Sequence, residues 1–461
     1  MNIFWKRVLI IVLAVSMTFV FCSCSKGGGD KQEDDDDEQT EAAQDNDEKT
    51  ETTQKPSGTK ETVDDGSDLN VDRVIVNNDG TPSGVTWRID DTGRLIISGS
   101  GPITLPDWTV FPWKDYRSQI TAVSVSGKSA SEKIEPTSLE HWFYALGNCK
   151  EITFSNVDTS KTTSMRRLFY ECKGLTSVNI EELDTSSVTD MSGMFYCCWE
   201  LTSLDLSGFE TSNVQYMGSM FQSLSNMTSI DVSGFDTSNV IEMGSMFKSC
   251  SKMETFDLSN FDTSNVKNMA SMFEDCLILT TLDLSAFDTS NVENMHSMFE
   301  DCSNLSSLDV STWNTSNVTE MYNMFKSCKS LTSLDLSNFD TSSVTIMSMM
   351  FYGCYGLTSI NVSSFDTSNV TTMPMMFSRC FGLTTLDVSS FTTPNVTDTS
   401  EMFAYCSGLT SIDMSGIDIS HLTEYYAALM FLKCQSLQTV ITSTAFPEDS
   451  YFNEEWRVLP S

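Results

Sequence analysis

Basic residues are scarce in this sequence: 27 Lys and Arg stand against 63 Asp and Glu, a formal net charge of −36 over 461 residues. Nucleic acid and anionic lipid headgroups are bound through clustered Lys and Arg, so charge-driven binding to either is excluded as a primary role. Histidine is scarcer still. His141, His296 and His421 neither recur nor stand beside a nucleophile motif, and a catalytic site needs a unique constellation of groups. Beyond the first two dozen residues no apolar run is long enough to cross a bilayer as a helix. A contiguous calcium-loop motif is missing as well.

What is present begins with Lys6 and Arg7, followed by an apolar run of 14 residues from Val8 to Phe21. A basic start and a run too short to span comfortably predict an export signal over residues 1–23. The run ends in Phe21-Cys22-Ser23-Cys24-Ser25. Small Ser23 just before Cys24 resembles a bacterial lipobox, which implies cleavage before Cys24 and acylation of that cysteine; the alternative is a secreted protein whose signal happens to hold cysteines. Two or more acyl chains anchor stably where one does not. Residues 24–68 then carry 16 Asp or Glu against 5 Lys and no aromatic residue. Such a segment buries too little apolar surface to offset its ordering entropy, so it is expected to be a disordered, self-repelling tether.

Residues 69–135 read as a β-rich cap. Val85-Trp87-Ile89 alternates with polar residues, Asp90-Asp91-Thr92-Gly93 supplies a turn, and Leu95-Ile97 alternates again, which predicts a hairpin. A further short strand is expected at Ile120–Val125. The aromatic residues Trp87, Trp108, Phe111, Trp113 and Tyr116 suit a small core better than a sugar site.

From there the chain repeats. Phe169, Phe195, Phe221, Phe247, Phe273, Phe299, Phe325, Phe351, Phe377 and Phe403 form a series with a period of 26 residues, the signature of a solenoid. With Leu331 as position 1, Leu331-Thr-Ser-Leu334-Asp-Leu336 has the alternation of a half-buried strand and Phe339 closes it at position 9. The Asp-Thr-Ser-Asn/Ser tract that follows favours a turn. Val344, Met347, Met350, Phe351 and Cys354 fall at spacings of 3, 3, 1 and 3, the apolar stripe of a short helix. The expected fold is therefore an α/β repeat solenoid: 26-residue units, a parallel β-sheet with short helices, about 11 repeats over residues 136–443, and a C-terminal cap over 444–461. Neither element buries its apolar face alone, so stacking makes the core.

The pattern LTSLDLSxFDTSNVTxMxxMFxxC, with TWRIDDTGRLIISGSG and PWKDYRSQI before it, resembles the BspA-type leucine-rich-repeat surface proteins and the mycoplasma-type surface-lipoprotein repeat. The resemblance covers residues 80–440. It implies an extracellular leucine-rich-repeat solenoid with a role in adhesion or surface recognition, and no catalytic residues. This sequence departs from the pattern in carrying Phe at position 9 where the family turn has Asn.

The columns of the repeat carry several candidate chemistries. Cys149, Cys172, Cys198, Cys250, Cys276, Cys302, Cys328, Cys354, Cys380, Cys406 and Cys434 form a series interrupted by Leu224. Leucine replaces a buried thiol but neither a metal ligand nor half a disulfide, so the column reads as core; Cys197, beside it, is the candidate reactive thiol. The methionine columns headed by Met191 and Met194 read as core too. Asp205, Asp231, Asp257, Asp283, Asp309, Asp335, Asp387 and Asp413 occupy the outward position 5 of the strand, with Asn361 in one coil. This acidic strand face reads either as a solubilising row or as a row neutralised by Ca2+ or by a basic, repetitive ligand. No other metal and no cofactor is expected.

The free positions of the repeat are 15–16, 18–19, 22–23 and 25–26. In the C-terminal coils they hold Tyr352, Tyr355, Arg379, Phe381 and Tyr405. Aromatic residues and Arg are the usual anchors of protein interfaces, so these five are the expected partner-binding residues; the alternative is packing between adjacent coils. The function expected is a monomeric, lipid-anchored protein on the extracellular face of a bacterial envelope, with adhesion or protein binding as its role and no catalysis. Its partner is then an extracellular or host protein, with a glycan as the other candidate, and it touches the membrane through the anchor alone. A structural spacer without a specific ligand is the competing possibility.

Overall fold

The computed structural model describes residues 68–105, 111–418, 420, 429–443 and 457–460, the last four as backbone. The export signal, Cys24, the tether up to residue 67, Trp108, His421 and most of the C-terminal cap lie outside the described residues.

The alternating segment before the repeats folds as expected. Strands β1 (Arg73–Val76), β2 (Pro82–Ile89) and β3 (Arg94–Gly99) form an antiparallel meander. The β2–β3 hairpin turns where Asp90 Oδ1 accepts the N–H groups of Thr92 and Arg94 at 2.9 and 3.0 Å. Gly93 sits at φ +81°, where a Cβ would meet the carbonyl oxygen of Gln119 at 2.6 Å. After β4 (Gly101–Ile103) and a 3₁₀ turn at Lys114–Gln119 comes β5 (Ala122–Gly127), which pairs in parallel with β3. Strand β6 (Ile134–Pro136) pairs with β4. Strands β7 (Glu151–Ser155) and β8 (Ser177–Val178) extend the first sheet in the order β1-β2-β3-β5-β7-β8, so one sheet runs from the cap into the repeats. Trp87, Phe111 and Trp113 are buried there, and the Trp113 indole donates to the carbonyl oxygen of Trp142 at 2.8 Å. These rings join cap to first coil and present no open face to a sugar.

The repeats form a solenoid of about 12 turns. In the coil of Leu331 the residues at positions 1, 4, 6, 9, 14, 17, 20, 21 and 24 are no more than 4 % exposed. On the strand side, β9 (Ser333–Asp335) pairs in parallel with β10 (Ser359–Asn361). Strands β11 (Thr385–Asp387), β12 (Ser411–Asp413), β13 (Thr439–Thr442) and β14 (Arg457–Pro460) form a second parallel run. All pair in register, which sets equivalent side chains over one another.

The expected short helix is absent from the repeats among the described residues; successive tight turns take its place. In the coil of Met243 the N–H groups of Met246, Lys248 and Cys250 donate three residues back, to Met243, Ser245 and Phe247. The intervening N–H groups of Met243, Ser245, Phe247 and Ser249 donate instead to the next coil, at Asn268, Ala270, Met272 and Glu274, over 2.7–3.0 Å. Ser245 and Ser249 take φ +57° and +58°. A left-handed residue stops helical propagation. The apolar spacing of 3, 3, 1 and 3 serves linked three-residue turns as well as a helix, which is why periodicity alone did not separate them.

Two buried columns lock the coils in register. Phenylalanine rings stack without a break from Phe143 and Phe169 through Phe403 and Phe431, for example at 5.2 Å between Phe351 and Phe377. Offset aromatic pairs contribute about 0.5–1.5 kcal/mol each beyond area burial. At position 11 a buried threonine reaches the next coil. The Thr211 hydroxyl donates to the carbonyl oxygen of Asp236 at 2.9 Å and accepts its N–H at 2.8 Å.

Candidate functional site

The thiol column is core. Cys172, Cys198 and Cys250 through Cys406 are buried and free, and each donates its S–H to the carbonyl of the position-21 phenylalanine one coil back, as Cys354 does to Phe325 at 3.1 Å. Burial pushes the Cys250 and Cys354 thiols up to about 12, which leaves them protonated and unreactive. Cys197 is half-buried, and burial raises its thiol as well, so the structure gives no support to its being reactive. Cys149 belongs to a different column: its N–H donates to Leu146, as that of Leu175 does to Cys172, so Cys149 occupies position 1 and Leu146 the thiol's place. The 23-residue first step in the cysteine spacing is a change of column, and the period is 26 from the first coil as far as Cys406, with a last step of 28 to Cys434.

The position-5 aspartates line the strand side and are exposed, except half-buried Asp413. Each has a local partner two residues on. Asp231 Oδ1 accepts the Ser233 hydroxyl at 2.6 Å and the Ser233 N–H at 3.0 Å, and Ser389 and Ser415 give the same N–H bond to Asp387 and Asp413. These bonds hold the carboxyls of Asp205, Asp231, Asp257 and Asp309 below the ordinary carboxylate range, the serine hydroxyl first. Asn361 makes the same pair of bonds with Ser363. The row thus turns the chain at the end of each strand-side crossing, and in one coil an amide makes the same bonds as the acid. Among the described residues no three Asp, Glu, His or Cys side chains converge on a point that would hold a metal ion.

The turn side carries the variable residues. At the C-terminal end the five expected partner-binding residues form two stacks. The guanidinium of Arg379 lies 5.7 Å from the ring centre of Tyr352 and 4.9 Å from that of Tyr405. Tyr355 and Phe381 stack at 4.9 Å and remain 38 % and 39 % exposed. Inter-coil packing and exposure therefore coexist here: the rings brace one another while their outer surfaces stay open. In the middle coils position 22 is charged, and Lys248 pairs with Glu274 at 2.9 Å and Lys326 with Glu300.

The N-terminal end holds a group of residues that spacing counts from cysteine overlooked. Tyr144, Tyr170 and Tyr196 stack at 5.1 and 4.1 Å with planes within 10°. Arg117 lies over Tyr144 at 5.2 Å, Arg167 over Tyr170 at 5.1 Å, and Lys173 over exposed Trp199 at 5.0 Å. The signal was the dipeptide Phe-Tyr at 143–144, 169–170 and 195–196, which the misplaced Cys149 hid. The two described histidines have structural surroundings. His141 is buried beside Glu140, and His296 stacks on Tyr322 at 4.5 Å, where burial lowers its pKa.

Among the described residues no helix is long and apolar enough to cross a membrane. No curated protein matches the sequence. Among solved structures, a leucine-rich repeat protein of Eubacterium ventriosum is 17% identical, with 81% of this chain and 97% of that one covered, at TM-score 0.40. A leucine-rich cell surface protein of Faecalibacterium prausnitzii is 17% identical over 79% and 94%, at 0.36. A leucine-rich repeat protein of Bacteroides ovatus is 16% identical over 82% and 98%, at 0.39. The fold is shown by the inter-coil ladders of this chain itself. The model of the family described as "Mycoplasma protein of unknown function, DUF285" matches residues 137–255, 246–335, 278–360 and 323–444, together more than half of the sequence. The chain belongs to that family, and its repeats are of the BspA-type surface-protein kind.

Proposed function

We propose that this protein is a non-catalytic, cell-surface repeat protein that binds a partner protein through the turn side of its C-terminal coils. The observation that carries the proposal is the exposed Tyr355–Phe381 stack beside the Tyr352–Arg379–Tyr405 sandwich. Bulky rings held rigid by their neighbours give contact area at low entropy cost, and Tyr and Arg are over-represented among interface anchors. In the same proposal Cys24 carries the acyl anchor, the acidic tether sets the coils off from the membrane, and the partner is an extracellular or host protein met in adhesion. Any Ca2+ on the position-5 row would be an addition to this role; an unchanged melting temperature on chelation removes it.

The test compares the full chain with a Tyr355→Ser/Phe381→Ser variant, presented to extracellular-matrix proteins and to a glycan array. Protein binding lost in the variant at an unchanged melting temperature supports the proposal. Binding retained by the variant moves the interface elsewhere, sugar binding alone replaces the partner class, and no binding leaves a spacer. If the variant loses its melting transition, the two rings are inter-coil packing.

A further inference from the structure

The turn side at the N-terminal end holds two arginines against tyrosine rings, where the C-terminal end holds one, Arg379. Arg117 and Arg167 are half-buried over Tyr144 and Tyr170, and among the described residues no carboxylate lies within ion-pair distance of either. Neighbouring cations are already matched: Arg166 pairs with Glu140 at 3.2 Å and Lys173 with Glu171 at 3.2 Å. Burial pushes the Arg117 guanidinium down from its ordinary value, against the pull of the Tyr144 hydroxyl and of Asp115 on its own turn. Arg117 and Arg167 thus form no ion pair among the described residues, in a chain of net charge −36, and Arg presents a planar fork suited to carboxylate.

The rings decide what kind of acid fits. Tyr170 has Tyr144 on one face and Tyr196 on the other, so its face is closed to stacking by a sugar and its edge is what a ligand meets. Burial raises the Tyr170 and Tyr196 hydroxyls, which stay protonated and hydrogen-bond to each other along the edge of the ladder. The ladder is held to this geometry by Gly193 at φ +60°, where a Cβ would press on Arg167 Cγ and on the Tyr170 ring at 3.3 Å.

We propose that the Tyr144–Tyr170–Tyr196 ladder, with Arg117 and Arg167, is a docking surface for an acidic peptide segment of a partner protein, with carboxylates on the guanidinium forks and along the phenol edges. The surface lies at the opposite end of the solenoid from the Tyr355–Phe381 patch, so its failure and the failure of that patch are separate results.

The experiment titrates the full chain against a fluorescein-labelled oligoglutamate of about 12 residues near 0.15 M salt, where surface charges beyond about 8 Å are screened. The expected result is saturable binding that R117Q/R167Q weakens at least about tenfold, the loss of two charge-assisted contacts. K252Q/K267Q, which removes two charges from the middle coils, is expected to change it by less than about twofold. R167K keeps the charge and loses the fork, and is expected to weaken binding about threefold; it decides the matter if the double variant fails to melt cooperatively. Absence of binding, equal binding by R117Q/R167Q, or no effect of R167K in that last case overturns the proposal. Oligogalacturonate of matched charge binding as tightly as the peptide overturns it in favour of a glycan.

Discussion

On the strand side of the solenoid, residues 333–335 pair with 359–361 and the run from 385 to 442 is paired, but from 201 to 332 no strand is formed among the described residues. On the turn side the bridge between successive coils runs unbroken from Ser164 to Asp398. Each turn-side crossing adds up to four inter-coil bonds, at positions 17, 19, 21 and 23, whereas the strand side adds bonds such as Thr358 to Thr332 at 2.9 Å. The expected sheet is thus the looser of the two seams. The residues at positions 19 and 23 are left-handed in coil after coil, including Met349, Arg379, Glu401 and Tyr405, although non-glycine residues pay about 1–2 kcal/mol for that conformation. Backbone bonds to the next coil and the core contacts of Met and Phe on either side hold them there.

Proline gives the sharpest break of that symmetry. Ser245 donates its N–H to Ala270 at 2.8 Å from φ +57°, so Ser245→Pro removes a bond and demands the opposite φ, at an expected cost above about 3 kcal/mol. Ser229→Pro, at exposed position 3 of the unpaired strand side, is expected to cost about 1 kcal/mol or less. Urea midpoints compare the two, and equal losses would mean the seams are equally strong. Phe299→Ala, next in size, opens the ring column between Phe273 and Phe325 and is expected to cost about 3–5 kcal/mol. Hydrogen exchange is expected to show the turn-side amides of both neighbouring coils losing protection.

Thr211→Val tests the polar lock that joins the sides. It takes from the N–H and carbonyl of Asp236, an exposed residue, the buried hydroxyl that now serves both, and the expected cost is about 0.5–1.5 kcal/mol. The same position shows how far the sequence could be read. The period, the parallel stacking, the buried methionine and thiol columns and the outward aspartates were legible because each repeats a side-chain preference. Two features were not. Val344, Met347, Met350 and Phe351 face the core from linked turns as they would from a helix, and the only local signal against a helix is the Ser, Gly, Asn or Asp common at positions 19 and 23. Thr at position 11 reads as a turn former; that its hydroxyl reaches the next coil depends on a neighbour 25 residues away. At the candidate sites, chance exposure of rings was legible from their columns, while the tyrosine ladder depended on the frame, which Cys149 displaced.

Acidity separates the two sides with the smallest effects and with opposite signs. On the turn side burial raises the Asp275 and Asp301 carboxyls, with neighbouring Glu274 and Glu300 adding to it. Their charge therefore opposes folding at neutral pH, and the penalty is relieved as pH falls through the raised folded values. On the strand side the Ser233 and Ser259 hydroxyls and N–H groups lower Asp231 and Asp257. That stabilisation is fully present above the unfolded value of about 3.9 and is lost as pH falls through the lowered folded values. The melting temperature is accordingly expected to rise on mild acidification from pH 7 and to fall again below about pH 4. Asp275→Asn/Asp301→Asn keeps side chains that tolerate the left-handed backbone and is expected to lessen the rise alone, the rest of it coming from Glu242 and Glu401, whose carboxyls burial also raises. Asp231→Asn/Asp257→Asn, which copies the natural Asn361–Ser363 arrangement, is expected to blunt the fall alone. If the strand-side pair altered the rise instead, the row would be doing electrostatic work across coils, and the local serine bonds would not be the reason aspartate stands there.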